Sequence, residues 1–175
     1  PCPNVTLEAD EYLVIYASGA GEPDPNGTLH TSFGLAKSGE GVSLVTSLGN
    51  VVSEFDEVPP QRSDVSYGID IAGELAFFTS PTPGEPNQSG VKGFVRDTKF
   101  SVKRGHFEEA FELEINTETE DAIIVYTTDG RDPRRGTVFN PVKTYGGPIT
   151  VDKPTTSRAL APKSGYLSTN TDTQT

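Results

Sequence analysis

The sequence predicts an all-β chain of two β-sandwich domains in series, on three observations. Eighteen Gly and 14 Pro interrupt its 175 residues, and no stretch sustains an apolar period near 3.6. Short β-branched and aromatic runs recur every 8 to 12 residues or so with turn residues between them, which is the pattern of a sandwich. Charge also changes along the chain: residues 1–92 hold 13 Asp+Glu against 3 Lys+Arg, a net −10, and residues 93–175 hold 12 against 11, a net −1. That shift places a domain boundary near residue 92.

The elements follow in order. "EYLVIYAS" (11–18) is β-branched or aromatic over most of its length, which predicts a strand buried on both faces of a sandwich. "GAGEPDPNG" (19–27) is a loop. "GVSLVTSLGNVVSEF" (41–55) reads as a hairpin reversing at Leu48-Gly49-Asn50, with Gly and Asn supplying positive φ. "GELAFFTS" (73–80) is a strand, and "PTPGEPNQSG" (81–90), with three Pro and two Gly, admits no regular element.

In the second half Phe111, Leu113 and Ile115 alternate with Glu112, Glu114 and Asn116, so one face of 110–116 is expected to be buried and the other wet. "AIIVYTT" (122–128) suits a central strand, "GPITV" (147–151) and "TTSRALAP" (155–162) supply two more, and "YLSTNTDTQT" begins a last one.

Composition narrows the partners. A net charge of −11 opposes binding to nucleic acid or an anionic membrane, both of which draw on Lys and Arg. No run approaches the ~20 apolar residues of a bilayer span, so no membrane insertion is expected. Cys2 is the only cysteine, which leaves neither an intrachain disulfide nor a cysteine zinc site. With no Met and an opening of "PCPNVTLEADEY", the chain reads as a segment of something longer.

"YTTDGRDP" sets the question of a site. Asp129 and Asp132 flank Gly130 and are the candidate metal ligands, with calcium as the ion, but the spacing lacks the ligand series of an EF-hand. The plainer reading is an Asx-type turn closed by Pro133. A glycosidase role needs one carboxyl kept protonated, which Arg131, Arg134 and Arg135 oppose. His30 and His106 have no nucleophile motif beside them and read as structural. Asn4, Asn26 and Asn87 each head an N-glycosylation triplet. Phe107, Phe139, Tyr145 and Tyr166 sit beside Gly or polar residues and are the candidate sugar-stacking ligand residues, although the chain has no Trp.

Two resemblances bear on these readings. "EYLVIYASG", "GTLHTSFGLAKSGEGVSLVTSLGNVVSEF", "SDVSYGID" and "SPTPGEPNQ", over residues 8–88, resemble the bacterial lamin tail domain, without the strands that open that family. "FSVKRGHFEEAFELEI", "AIIVYTTDGRDP", "YGGPITV" and "TTSRALAPKSGYLST", over 100–175, resemble the chitobiase and β-hexosaminidase C-terminal domain, related to fibronectin-III-like modules. The resemblances imply an immunoglobulin-like sandwich followed by a fibronectin-III-like one, with the T-D-G-x-D-P segment as a turn and no catalytic residue. They imply non-catalytic structural or docking modules of a larger secreted or cell-surface bacterial protein, beside an enzyme domain outside this segment. The expected partners are other domains of the parent protein, or self-association through open strand edges. The alternatives are an accessory carbohydrate-binding module with a polysaccharide partner, and a calcium-stabilised adhesion module.

Overall fold

The computed structural model describes residues 5–22, 26–137 and 141–175. Among them the regular structure is β, with one short 3-10 helix at Pro133–Arg135 and no α-helix. No helix among the described residues is long and apolar enough to cross a membrane. The chain divides into two compact units, Pro1–Gly90 and Val91–Thr175. At that break the charge asymmetry is complete: the first unit has 13 acidic residues against Lys37 and Arg62, giving −11, and the second has 12 of each sign, giving zero.

Among the described residues the first unit has three strand pairs. β1 (Ile15–Tyr16) and β2 (Leu29–His30) run parallel. β3 (Val42–Val45) and β4 (Val51–Phe55) form an antiparallel hairpin, as do β5 (Ser66–Ile69) and β6 (Leu75–Phe78). The hairpin expected at 41–55 is present. Its reversal uses Gly49 alone at positive φ (84°), with Gly49 N–H donating to the Thr46 carbonyl at 3.0 Å. Asn50 is not at positive φ, and its N–H donates to Thr46 Oγ1 at 3.1 Å.

The expectation for residues 11–18 is overturned. Only Ile15–Tyr16 pair as strand, and Tyr12, Leu13, Val14, Ile15 and Tyr16 are 39–53% exposed. The physical reason is that β1 pairs with a single two-residue strand among the described residues, so apolarity there has little to bury against. Among the described residues the buried apolar side chains of this unit lie on one strand, Ala76, Phe77 and Phe78 of β6. The Pro-rich stretch 81–90 contains no strand, as composition requires, yet it is not a free tether. Asn87 Nδ2 donates to the Ile69 carbonyl at 2.8 Å, and a Cβ at Gly90 would lie 2.5 Å from that of Ala76.

The second unit has a β-sandwich-like arrangement. β7 (Gly93–Phe94) and β8 (Lys99–Phe100) open it; β9 (Phe111–Leu113) and β10 (Ile115–Asn116) divide the predicted 110–116 strand. β11 (Val125–Thr127), β12 (Lys143–Thr144), β13 (Ile149–Val151), β14 (Ser157–Leu160), β15 (Tyr166–Leu167) and β16 (Asp172–Gln174) complete it. A four-stranded antiparallel sheet runs β12-β11-β14-β16, which puts β11 inside as its sequence suggests. β9 pairs with β13 and β10 with β8, both antiparallel, whereas β7 and β15 pair in parallel.

Alternation decides what is buried. Leu113 and Ile115 are 3% and 2% exposed while Glu112 and Glu114 face water, and Ala159, Leu160 and Ala161 close the core from β14. Ile123, at the head of the apolar run, is 57% exposed, whereas Val125 and Tyr126 of β11 are half-buried and Thr127 is buried. Thr98 and Thr169, drawn into this core, find partners, as most buried polar groups do. Thr98 donates through N and Oγ1 to Asp172 Oδ2 at 3.1 and 2.5 Å, and Thr169 Oγ1 accepts from Ala161 N at 3.0 Å.

Candidate functional site

The best-formed concavity lies in the second unit, where the loop before β9 meets the turn after β13. β9 and β13 pair Phe111 opposite Val151, so the residues just beyond each strand end face one another across the opening. Phe107 folds back onto Phe111, ring centroids 4.5 Å apart and planes at 50°, and remains 51% exposed. The loop is tied to the chain terminus: Gly105 N–H donates to the Thr175 carbonyl at 3.1 Å, and Gln174 Nε2 to the Val102 carbonyl at 2.8 Å. Asp152, Lys153 and Thr155 form the opposite wall, with Thr155 Oγ1 donating to the Lys153 carbonyl at 2.8 Å. The cleft measures about 480 Å³ and also admits His106, a size in the range of small-ligand pockets. An exposed ring among carboxylates and ammonium groups can stack on the apolar face of a sugar and bond its hydroxyls.

Of the four aromatics singled out by sequence, the three that are described, Phe107, Tyr145 and Tyr166, do not form one platform. Phe107 lines the cleft. Tyr145 follows β12, its N–H donating to the Ile124 carbonyl at 2.8 Å and its ring 6.3 Å from that of Tyr126. Tyr166 on β15 covers Gly93, where an added Cβ would come within 2.9 Å of its ring, and Lys163 Nζ lies 4.8 Å from its centroid. Among the described residues no ring contact joins these three, and Phe139 lies outside the described residues. Sequence reasoning missed the wall at Asp152–Thr155; its signal was the Lys153-Pro154 pair closing β13 next to a second strand. Phe111 was read only as core, although its four-residue spacing from Phe107 already allowed the loop to fold back.

The T-D-G-R-D-P segment is a turn locked at several points. Gly130 holds φ of 79° and donates to the Thr156 carbonyl at 3.0 Å, while Thr127 Oγ1 donates to the Arg131 carbonyl at 2.6 Å. Asp129 accepts from the backbone N of Arg131 at 3.2 Å and from its Nε at 2.7 Å. The Arg131 side chain, then its backbone N–H, holds that carboxyl below the ordinary range. Asp132 caps the 3-10 helix through Arg134 N at 3.0 Å, accepts from Arg134 Nη2 at 2.8 Å, and receives Thr171 Oγ1 at 3.1 Å. The Arg134 side chain first, and then its backbone N–H, hold Asp132 well below the usual carboxylate range, and the same contact raises Arg134. Both carboxylates named as metal candidates are thus engaged by their own arginines. Among the described residues no three His, Cys, Asp or Glu side chains are grouped to hold an ion.

Of the two histidines, His30 is hydrogen-bonded to Ser18 Oγ at 2.8 Å and stacks near Tyr16 at 5.6 Å. His106 lies in the cleft. Of the glycosylation triplets, Asn87 has its amide engaged on Ile69, and Asn4 lies outside the described residues.

Residues 102–174 match the model of the chitobiase/beta-hexosaminidase C-terminal domain. The match agrees with the sandwich-like second unit and takes in both the cleft and the arginine-rich turn. That domain is a non-catalytic accessory domain of glycosidases. No curated protein and no solved structure gives a significant match.

Proposed function

We propose that this segment is a non-catalytic pair of β modules from a larger secreted or cell-surface protein, and that its lamin-tail-like first unit docks a further polypeptide segment. One observation supports this above others. Among the described residues, 17 of the 20 exposed large apolar side chains belong to the first unit, and its sheets there are two-stranded, each with open edges. A surface of that kind is completed by an added strand, which supplies backbone hydrogen bonds and covers alternate side chains.

The occupant we assign is a basic, β-forming segment of the parent polypeptide. A second copy would bring another unit of −11, and like charges oppose that pairing. Hydrogen exchange tests the reading with a peptide of alternating Val and Lys. The edge amides of β3, β4 and β5 exchange quickly in the free chain and become protected when the peptide is added. Slow exchange without the peptide, or no protection with it, sinks the proposal.

A second reading is favoured by the family match and by the exposed ring of Phe107: the cleft of the second unit binds carbohydrate for an attached enzyme. Pull-down on insoluble polysaccharides tests it, with Phe107→Ala losing retention.

A further inference from the structure

The arginine-rich turn of the second unit has charge left over. Gly130, Arg131, Asp132, Arg135 and Arg158 line a depression of about 470 Å³. Four of the chain's seven arginines gather here: Arg131, Arg134, Arg135 and Arg158. Arg131 pairs with Asp129 and Arg134 with Asp132, which leaves two positive charges uncompensated on a chain of net −11. Arg135 is exposed and, among the described residues, makes no side-chain hydrogen bond or ion pair. Arg158 reaches up from β14, giving Nη1 to the Gly130 carbonyl at 3.3 Å. Its Nη2 stands 4.0 Å from Asp132, and its Nε is buried without a partner.

We propose that Arg135 and Arg158 form a subsite for the carboxylate of an acidic sugar. A guanidinium presents a planar fork suited to a carboxylate, and charge-assisted bonds of this type are the strong ones. The depression has room for more than a bare oxyanion. Among the described residues its lining has no apolar side chain to anchor a peptide, whereas a uronic acid offers one charge and several hydroxyls. This inference stands on the second unit alone and does not depend on the Phe107 cleft.

Calorimetric titration of the whole chain at low salt tests it with trigalacturonate, neutral galactotriose, sulfate and an oligoglutamate. Trigalacturonate is expected to bind and galactotriose not to. Arg135→Gln, an exposed change that keeps the fold, and Arg158→Gln are each expected to weaken binding by about tenfold or more. Phe107→Ala is expected to leave it unchanged, which separates this subsite from the cleft. If Arg158→Gln melts early, Arg135→Gln decides alone. The proposal is overturned by absence of trigalacturonate binding, by retention in Arg135→Gln, or by loss in Phe107→Ala. Equal affinity for sulfate or for oligoglutamate overturns it as well, since the site would then be a plain anion or acidic-peptide site.

Discussion

Truncating one leucine in each unit separates an outward-facing apolar surface from a core. Leu113 is 3% exposed and Leu44 is 56% exposed. Leu→Ala removes three carbons, worth about 0.8 kcal/mol each when fully buried, or about 2.4 kcal/mol. At Leu113 a cavity term adds to this, and the expected cost is about 3–5 kcal/mol. At Leu44 less than half of the side chain is covered and water fills the gap, so the cost is at most about 1 kcal/mol. Urea unfolding of both variants gives these values, and mass-resolved hydrogen exchange over 41–55 and 111–116 assigns each loss to its unit. If Leu44→Ala costs as much as Leu113→Ala, the hairpin packs inward and the docking argument fails. With an occupant bound, the cost at Leu44 rises toward that at Leu113.

Gly130→Ala should destabilise the second unit by about 1–2 kcal/mol, the cost of an L side chain in the left-handed region, because φ is 79°; a urea midpoint equal to that of the parent chain refutes the turn assignment. Stability of the second unit should be level at neutral pH and fall below about pH 4. Asp129, Asp132 and Glu118 are all depressed when folded, the last by Lys99, so acid protonates them first in the unfolded chain. Asp132→Asn should flatten part of that fall in a series of thermal melts across pH, and an unchanged profile would show the contact contributes nothing. Calcium or a chelator should leave the Tm where it is, because Asp129 and Asp132 already hold arginines; a rise with calcium restores the adhesion reading.

Local chemistry was legible wherever a residue's neighbours in sequence are also its neighbours in space. Gly49 fixes the β3–β4 reversal, the Phe111–Asn116 alternation separates core from solvent, and Pro133 follows a turn built by Asp129 and Gly130. Burial of residues 11–18 was not legible, because an apolar run looks the same whether or not another layer covers it. Nor was the arginine depression, since Arg158 arrives from β14, 28 residues beyond Gly130. Phe107, Tyr145 and Tyr166 failed to converge for the same reason: each sits on a different element, and their spacing in sequence says nothing about which rings share a face. Asn87 likewise read as part of a loose stretch until its bond to Ile69 was seen.

The parallel pairing of β7 with β15 has a mechanical meaning. Lys92 N–H donates to the Gly165 carbonyl at 2.8 Å and Val95 N–H to the Leu167 carbonyl at 2.9 Å, so the first residues after the break are bonded to a strand more than 70 positions later. A pull that enters along the chain at Val91 and runs along β7 loads these bonds side by side rather than one after another. The strand must slide past its neighbour as a whole before the module can extend. A unit fastened in this way resists stretching at its entrance.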